Sequence, residues 1–298
     1  MTDPTTAKSL DAYAAEILKD PAFPTFSSRI QELLAIGAED DTAQRRAALV
    51  VQDYGLTVRV LQAANSFQHN RSHKPIDSIA RAIIVMGVVE LRNLASSLLP
   101  FYQFEKRSDA LRRVMLLSML TAIHTSAAAD AERVGSQDEA YLLGLLRNLG
   151  EVLVALHWPE TYAQIGEAPP GTVPGSNAVR VLGFSYEALA RAVGEHWHFP
   201  PQVMALWSKT SGSATDVVTA LAQFGHDITT VMYRRTTGDR SSKLRLLRTQ
   251  YGRRFDLTED DILDLVEAAV DATAPLFAQL KVSVEDLREQ PAQARATG

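Results

Sequence analysis

The chain has 298 residues, 46% of them hydrophobic and 22% charged, enough apolar material for one large or two ordinary domains, which excludes a disordered or collagenous chain. Lys and Arg number 30 against 35 Asp and Glu, a formal net charge of -5, so a strongly basic nucleic-acid or membrane-surface binder is excluded and only a local patch could do that work. With no cysteine there are no disulfides, thiol nucleophiles, zinc-thiolate sites or iron-sulfur clusters, and a reducing, cytoplasmic setting is expected.

The N-terminus is acidic and polar where an export signal needs a basic start and an apolar run, so no export is expected. The longest apolar run, Ala82 to Val89, falls far short of the roughly 20 residues of a membrane helix, so no membrane insertion is expected either. Ala and Leu dominate and the periodicity is helical. In chain order, helices are predicted at residues 9–19, 25–36, 41–51, 57–65, 76–86 and 91–99. Residues 111–131 follow, with the stripe Leu111, Val114, Met115, Leu117, Leu120, Ile123 and Ala127 turned inward. Residues 141–158 are apolar nearly all round and are predicted as one central, buried helix. Further helices are predicted at 186–197, 201–207 and 215–235, and Thr258 with Asp261 reads as a capping box opening a helix to about residue 280.

The prediction is thus an all-α fold of about a dozen helices, broken at Pro21, Pro24, Pro75, Pro100, residues 169–175 and Pro200-Pro201. The polar stretch at 103–109 divides it into an N-terminal helical subdomain (10–105) and a C-terminal one (106–285) sharing one core. A frayed tail is expected at 286–298.

Familiar catalytic signatures are missing, among them the phosphate-binding glycine loops and His-Glu-x-x-His. Gly183-Phe184-Ser185-Tyr186-Glu187 approaches a nucleophile elbow but lacks its closing glycine. His196 and His198 are two apart and cannot share an ion on one helix unless the helix has already ended, which Pro200 allows. His69 and His73 have i, i+4 spacing but lie in a polar stretch. Neither pair has an evident third ligand, so no metal site is expected. His124, His157 and His226 stand alone within helical segments and are expected to serve as local donors.

Tyr233 to Arg254 forms a basic field in an acidic chain: Arg234, Arg235, Arg240, Lys243, Arg245, Arg248, Arg253 and Arg254, with Asp239 as its only acid. It reads either as a solvated helix and loop offsetting Glu259, Asp260 and Asp261, or as a surface for an acidic partner or anion, with Tyr233 and Tyr251 available for stacking.

The segment Val51 to Ser66 resembles the stretch of bacterial HDOD domains in which an Asp-Pro-x-Leu turn leads into a helix ending Leu-x-x-Ala-Asn-Ser; Tyr54 stands where the proline usually does. Pro75 to Ile79, Ala82-Ile83 to Met86-Gly87, and Leu91 to Leu94 follow in family order. Glu195 to Pro200 is similar to the family's Trp-x-x-Pro signature. The resemblance implies kinship with HD phosphohydrolases, all-helical enzymes whose His and Asp side chains hold metal ions.

Carried over one at a time, the ligand positions implied by the resemblance are filled by Leu117, Arg147, Asn148 and Tyr186. Arginine has no lone pair for a cation, and asparagine keeps an oxygen without the charge. Arg147, in an apolar helix, needs either an anionic ligand or an internal carboxylate such as Glu187, and the internal pair is the expected one. The resemblance therefore implies a non-catalytic regulatory protein, without cofactor, that binds a signalling protein such as a kinase or second-messenger enzyme. Candidate surfaces are the 65–74 loop and the basic field. Nucleic acid is not expected as a partner, and self-association stays open. The alternatives are a sensor of a nucleotide or other anion near Arg147 or the basic field, and, more distantly, a metal-dependent phosphohydrolase.

Overall fold

The structure, a computed structural model, describes residues 9–20, 23–25, 27–36, 42–66, 69–70, 75–100, 108–166, 175–208, 217–233, 240–252, 254–255 and 257–280. In chain order its helices are α1 (Leu10–Lys19), α2 (Ser27–Ala35), α3 (Ala43–Val50), α4 (Tyr54–Asn65), α5 (Ile79–Met86), α6 (Val88–Ser97), α7 (Ser108–Ala131) and α8 (Gln137–Leu146). They continue with α9 (Leu149–His157), α10 (Pro159–Gly166), α11 (Ser176–Leu182), α12 (Tyr186–His196), α13 (Pro201–Ala205), α14 (Val217–Tyr233), α15 (Arg240–Tyr251) and α16 (Glu259–Leu280). Two short strands, β1 (Pro24–Thr25) and β2 (Leu99–Pro100), pair in parallel. The fold is all-α, as the periodicity predicts.

Local chemistry fixes the helix starts. Ser9, Thr42, Asp53, Ser78 and Ser185 each precede a helix and accept a backbone N–H of its first turn. Asp53 does more: Oδ1 accepts Leu56 N–H at 2.8 Å and Oδ2 accepts the Thr25 hydroxyl at 2.7 Å, tying β1 to the start of α4. Tyr54 takes the first helical position, where proline's missing N–H would cost nothing, and buries its ring beside Phe23. The capping box is present, with Asp261 N–H donating to Thr258 Oγ1 (3.1 Å) and Thr258 N–H to Asp261 Oδ2 (2.7 Å). Those bonds hold the Asp261 carboxyl below its usual range.

Three expectations need correction. The helix predicted from residue 25 begins at Ser27, because Pro24 and Thr25 are taken by the strand pair. The single helix predicted over 141–158 is two, since Asn148 (φ -97°, ψ 13°) leaves helical geometry between α8 and α9. The helices α10 and α11 were not anticipated at all, both being short and bounded by Pro and Gly.

Contacts divide the chain into two compact units, residues 1–111 with 148–209, and 112–147 with 210–298. The predicted boundary at 105/106 lies near the first crossing. Residues 148–209, however, belong with the N-terminal segment rather than with 106–285, and the reason is packing. In the first unit α12 lies against both α1 and α9. There Trp158 Nε1 donates to Glu16 Oε2 (3.2 Å), and Tyr13 sets its ring edge-on to Trp158 and Phe184.

The second unit is built around α7, whose buried Ser118, Thr121 and Thr125 return their hydroxyl protons to Val114, Leu117 and Thr121 carbonyls. Gly144 of α8 and Gly225 of α14 both press on Thr121 and Thr125, which lets three helix backbones approach closely. The segment Ala110–Ala131 is long and apolar enough to cross a membrane by length and composition alone, but 72% of that window is buried inside the protein. The predicted tail at 286–298 lies outside the described residues.

Candidate functional site

In the first unit, two of the motifs singled out in the sequence converge. The first ends α4: the Asn65 carboxamide donates to Leu61 O and Ile76 O, both at 3.0 Å, and accepts Ile76 N–H at 3.1 Å. It thereby clips the chain entering α5 to the end of α4. Ser66 donates to Ala63 O (2.6 Å), and His69 Nδ1 lies 3.1 Å from the same carbonyl, which requires a proton on that nitrogen.

The second motif ends α12. Trp197 is the last capping residue, His198 N–H donates to Glu195 O (3.2 Å) and Phe199 N–H to Gly194 O (3.0 Å). This is a Schellman ending, and its left-handed position, where glycine is usual, is held by His198 at φ 56°. Pro200 then prevents the helix from resuming. His196 and His198 therefore do not share a helix. Asn65, Asn70, Pro75, His198, Phe199, Pro200 and Pro201 enclose a cleft of about 130 Å³.

In the second unit a chain of hydrogen bonds starts at Arg147. Its Nε donates to Gln223 Oε1 (3.0 Å), Gln223 Nε2 donates to Asp227 Oδ1 (2.9 Å), and the Tyr251 hydroxyl donates to Asp227 Oδ2 (2.6 Å). The chain of bonds thus reaches one carboxylate, Asp227, through one carboxamide. Burial raises the Asp227 pKa, while Tyr251, Gln223 and the Arg147 charge pull it back down. Sequence reasoning missed Gln223 and Asp227, although their i, i+4 spacing on the largely apolar α14 was the available signal. The chain of bonds joins two positions predicted separately, since Tyr251 closes the basic helix α15.

Each of the other predicted positions has a definite setting. Leu117 is buried in α7 with no donor atom, and Asn148 is buried at the start of α9. Tyr186 opens α12 at a helix crossing: a Cβ added to Gly150 of α9 would fall 1.9 Å from the Tyr186 carbonyl oxygen. A leucine, an arginine, a neutral amide and a phenol do not make the imidazole and carboxylate set that holds a divalent ion. Among the described residues no three His, Cys, Asp or Glu side chains gather into a metal-holding group.

Within the basic field, Lys243 is half-buried and Arg245, Arg248 and Arg254 are exposed. Arg245 reaches Ser242 Oγ (3.2 Å), and Arg254 lies over the Phe255 ring at 5.9 Å. Arg234, Arg235 and Arg253 lie outside the described residues, as does the Arg240 side chain. Tyr233 and Tyr251 are buried, the latter within the Phe224–Tyr251–Phe255 cluster, so neither presents the stacking face expected of it.

His124, expected to be a satisfied donor, is so on one side only. Thr229 gives its proton to Gly225 O (2.7 Å) and accepts from His124 Nδ1 (2.9 Å), while the buried Nε2 has no partner among the described residues. Burial pushes the imidazole pKa down to about 3.

The HDOD domain model matches residues 21–211. Among solved structures, the chain is similar to the MmoQ response regulator of Methylococcus capsulatus str. Bath, 23% identical, covering 82% of this chain and 97% of that one with a TM-score of 0.62. It is also similar to a virulence factor of Campylobacter jejuni subsp. jejuni, 14% identical, covering 89% and 98% with a TM-score of 0.60. A curated relative, an uncharacterized protein of Treponema pallidum (strain Nichols), is 25% identical over 206 residues, 67% of this chain; the match spans 39% of that protein's length.

Proposed function

The chain belongs to the HDOD family, and from that premise we propose that it is a non-catalytic regulatory protein of bacterial signal transduction that works by binding another protein. The observation that carries this reading is Arg147. A permanent cation stands where the resemblance places a metal ligand, and it is tethered through Gln223 to Asp227. A guanidinium there repels a divalent ion and occupies its electrostatic role. The fold shared with a bacterial response regulator supports a signalling role, and a cysteine-free composition supports a cytoplasmic one.

Two surfaces are offered to the partner, a kinase or second-messenger enzyme. One is the cleft around His198, where an unfavourable backbone conformation is retained beside an exposed imidazole. The other is the exposed basic side of α15. The test is capture from a lysate of the native host by three baits: wild type, Arg245→Glu/Arg248→Glu and His198→Gly. A signalling enzyme retained by wild type and lost by either variant supports the reading. Identical prey on all three baits removes both surfaces, and a stoichiometric divalent ion in the purified, untagged protein removes the non-catalytic assignment.

The second reading, a sensor of a nucleotide or other anion, is favoured by the permanent cation at Arg147, whose Nε is bonded to the neutral Gln223 carboxamide. Thermal stabilisation by a nucleotide that disappears in Arg147→Ala would establish it, since a ligand of the native state raises apparent stability.

A further inference from the structure

The first unit keeps its two most exposed large apolar side chains at one corner. Among the described residues Val89 is 74% exposed and Ile84 67%, and Val85 between them is 39% exposed. Ile84 and Val85 stand on the outer side of α5, opposite the buried Ile79, Ile83 and Met86, and Val89 stands on the outer side of α6. Gly87 joins the two helices at φ 81°, and a Cβ added there would meet nothing within 4 Å, so the corner is open. The five residues of chain from Ile84 to Val89 hold them within about 18 Å of each other. An exposed apolar cluster with a polar rim marks an interaction site, whereas single exposed aliphatic residues do not.

The exposed charge beside that corner is positive. Apart from the half-buried Glu90, α5 and α6 carry only Arg81 and Arg92, both exposed. Arg81 lies three and four residues before Ile84 and Val85, and Arg92 three residues after Val89, so each cation stands one turn from an apolar anchor on the same side of its helix. Among the described residues neither arginine enters an ion pair, and the acids nearest in sequence, Asp77 and Glu90, pair with neither. The helices themselves do not account for the cations. Arg81 sits in the first turn of α5, where the helix dipole disfavours positive charge, whereas Glu90 in the first turn of α6 is placed as the dipole prefers. Both arginines are left for anionic groups outside the chain.

We propose that this corner docks a short amphipathic helix of a partner protein, with apolar side chains at i and i+3 or i+4 that cover Ile84, Val85 and Val89, and with Asp or Glu at both ends against Arg81 and Arg92. Two other covers fit the same observations less well. A second copy would bring arginine onto arginine across a two-fold axis, and three aliphatic side chains fall far short of the roughly 800 Å² per partner of a stable interface. An anionic bilayer would be held by only two arginines on a chain of net charge -5. The proposal rests on reading the chain as a protein-binding regulator, and adds a face that neither the His198 cleft nor α15 includes.

The experiment is selection of a phage-displayed library of random peptides, each long enough for about four helical turns, against the immobilised full chain. Fluorescence polarisation then follows the enriched peptides on wild type, Ile84→Gln/Val89→Gln and Arg81→Glu/Arg92→Glu. All four positions are exposed, glutamine suits a helix at least as well as isoleucine or valine, and thermal melts check that both variants fold. Enriched peptides are expected to share apolar residues at helical spacing with Asp or Glu at both ends, and to lose at least about tenfold in affinity for Ile84→Gln/Val89→Gln. On Arg81→Glu/Arg92→Glu they are expected to associate more slowly and with less dependence on salt. No enrichment, peptides without acidic ends, or peptides that bind wild type and Ile84→Gln/Val89→Gln alike overturn the proposal. So does co-sedimentation of wild type with phosphatidylserine vesicles, or a wild-type dimer, that is lost in Ile84→Gln/Val89→Gln, since lipid or a second copy then covers the corner. If the corner fails while wild type still captures a signalling enzyme through α15 or the His198 cleft, this face alone is overturned and the docking function stands.

Discussion

His198 holds the one position after α12 where a side chain is a burden, since a left-handed backbone costs an ordinary residue on the order of 1 kcal/mol and glycine almost nothing. His198→Gly is therefore expected to raise the stability of the protein by about 1 kcal/mol, seen as a higher urea midpoint at unchanged slope. Retained stability together with lost partner capture would separate what the imidazole does for function from what the backbone wants. An unchanged or lower midpoint would mean that His198 makes contacts that offset its strain. His124 presents the opposite case, a side chain that burial keeps neutral. Its pKa in the folded protein is pushed down to about 3, against 6.5 for the free group. Between those values the unfolded chain holds the additional proton, so stability falls as pH drops through that window, at up to about 1.4 kcal/mol per pH unit. Asp227, whose pKa is raised, works in the other sense above its unfolded value. The informative measurement is thus a difference: urea unfolding at pH 7 and pH 5 should show wild type losing more stability than His124→Gln, and equal losses would remove His124 as the cause.

At the scale of elements, the tightest geometry lies where helices cross at glycine. Gly150 lets α9 meet the backbone of α12, and the atom in the way of a Cβ is the fixed Tyr186 carbonyl rather than a movable side chain. Gly150→Ala is expected to cost about 3 kcal/mol or more, while Gly166→Ala at the end of α10, with nothing within 4 Å, should stay within about 0.5 kcal/mol. Thermal melts of the pair would decide it, and similar melting temperatures would refute the crossing as a constraint. Gly150 also shows what was legible in the sequence. The motif Leu145 to Gly150 was recognisable as one unit, but periodicity ran straight through it, because α8 and α9 are both apolar and no proline or glycine stands at the break. Caps, by contrast, announce themselves through residue type alone, and so did Thr258 with Asp261. Gln223, to which Arg147 donates, could not be read at all. It lies 76 positions away, and only the docking of α8 against α14 brings Gln223 within reach.

For the whole molecule, the family match and the folding unit have different edges. The match ends at residue 211, whereas the second unit is assembled from 112–147 and 210–298. Within that unit α8 and α14 share an extensive interface, Gly225 of α14 rests on Thr125 of α7, and Thr229 accepts from Nδ1 of the buried His124. A chain ending at residue 211 would keep α7 and α8 packed on each other but lose α14, which covers both. Leu142, Leu143, Leu145 and Leu146, all buried in the full chain, belong to helices whose partner has been removed. Uncovering these four large aliphatic side chains, at about 1.5–3 kcal/mol each, is comparable with the roughly 5–15 kcal/mol that ordinarily separates folded from unfolded protein. Residues 1–211 are accordingly expected to be insoluble, or to bind a hydrophobic dye and melt without a cooperative transition, whereas residues 1–280 should melt cooperatively. Calorimetry on the two chains is the check. A cooperative transition for residues 1–211 would show that α7 and α8 find other cover, and that α14 to α16 form a separable element rather than half of a core.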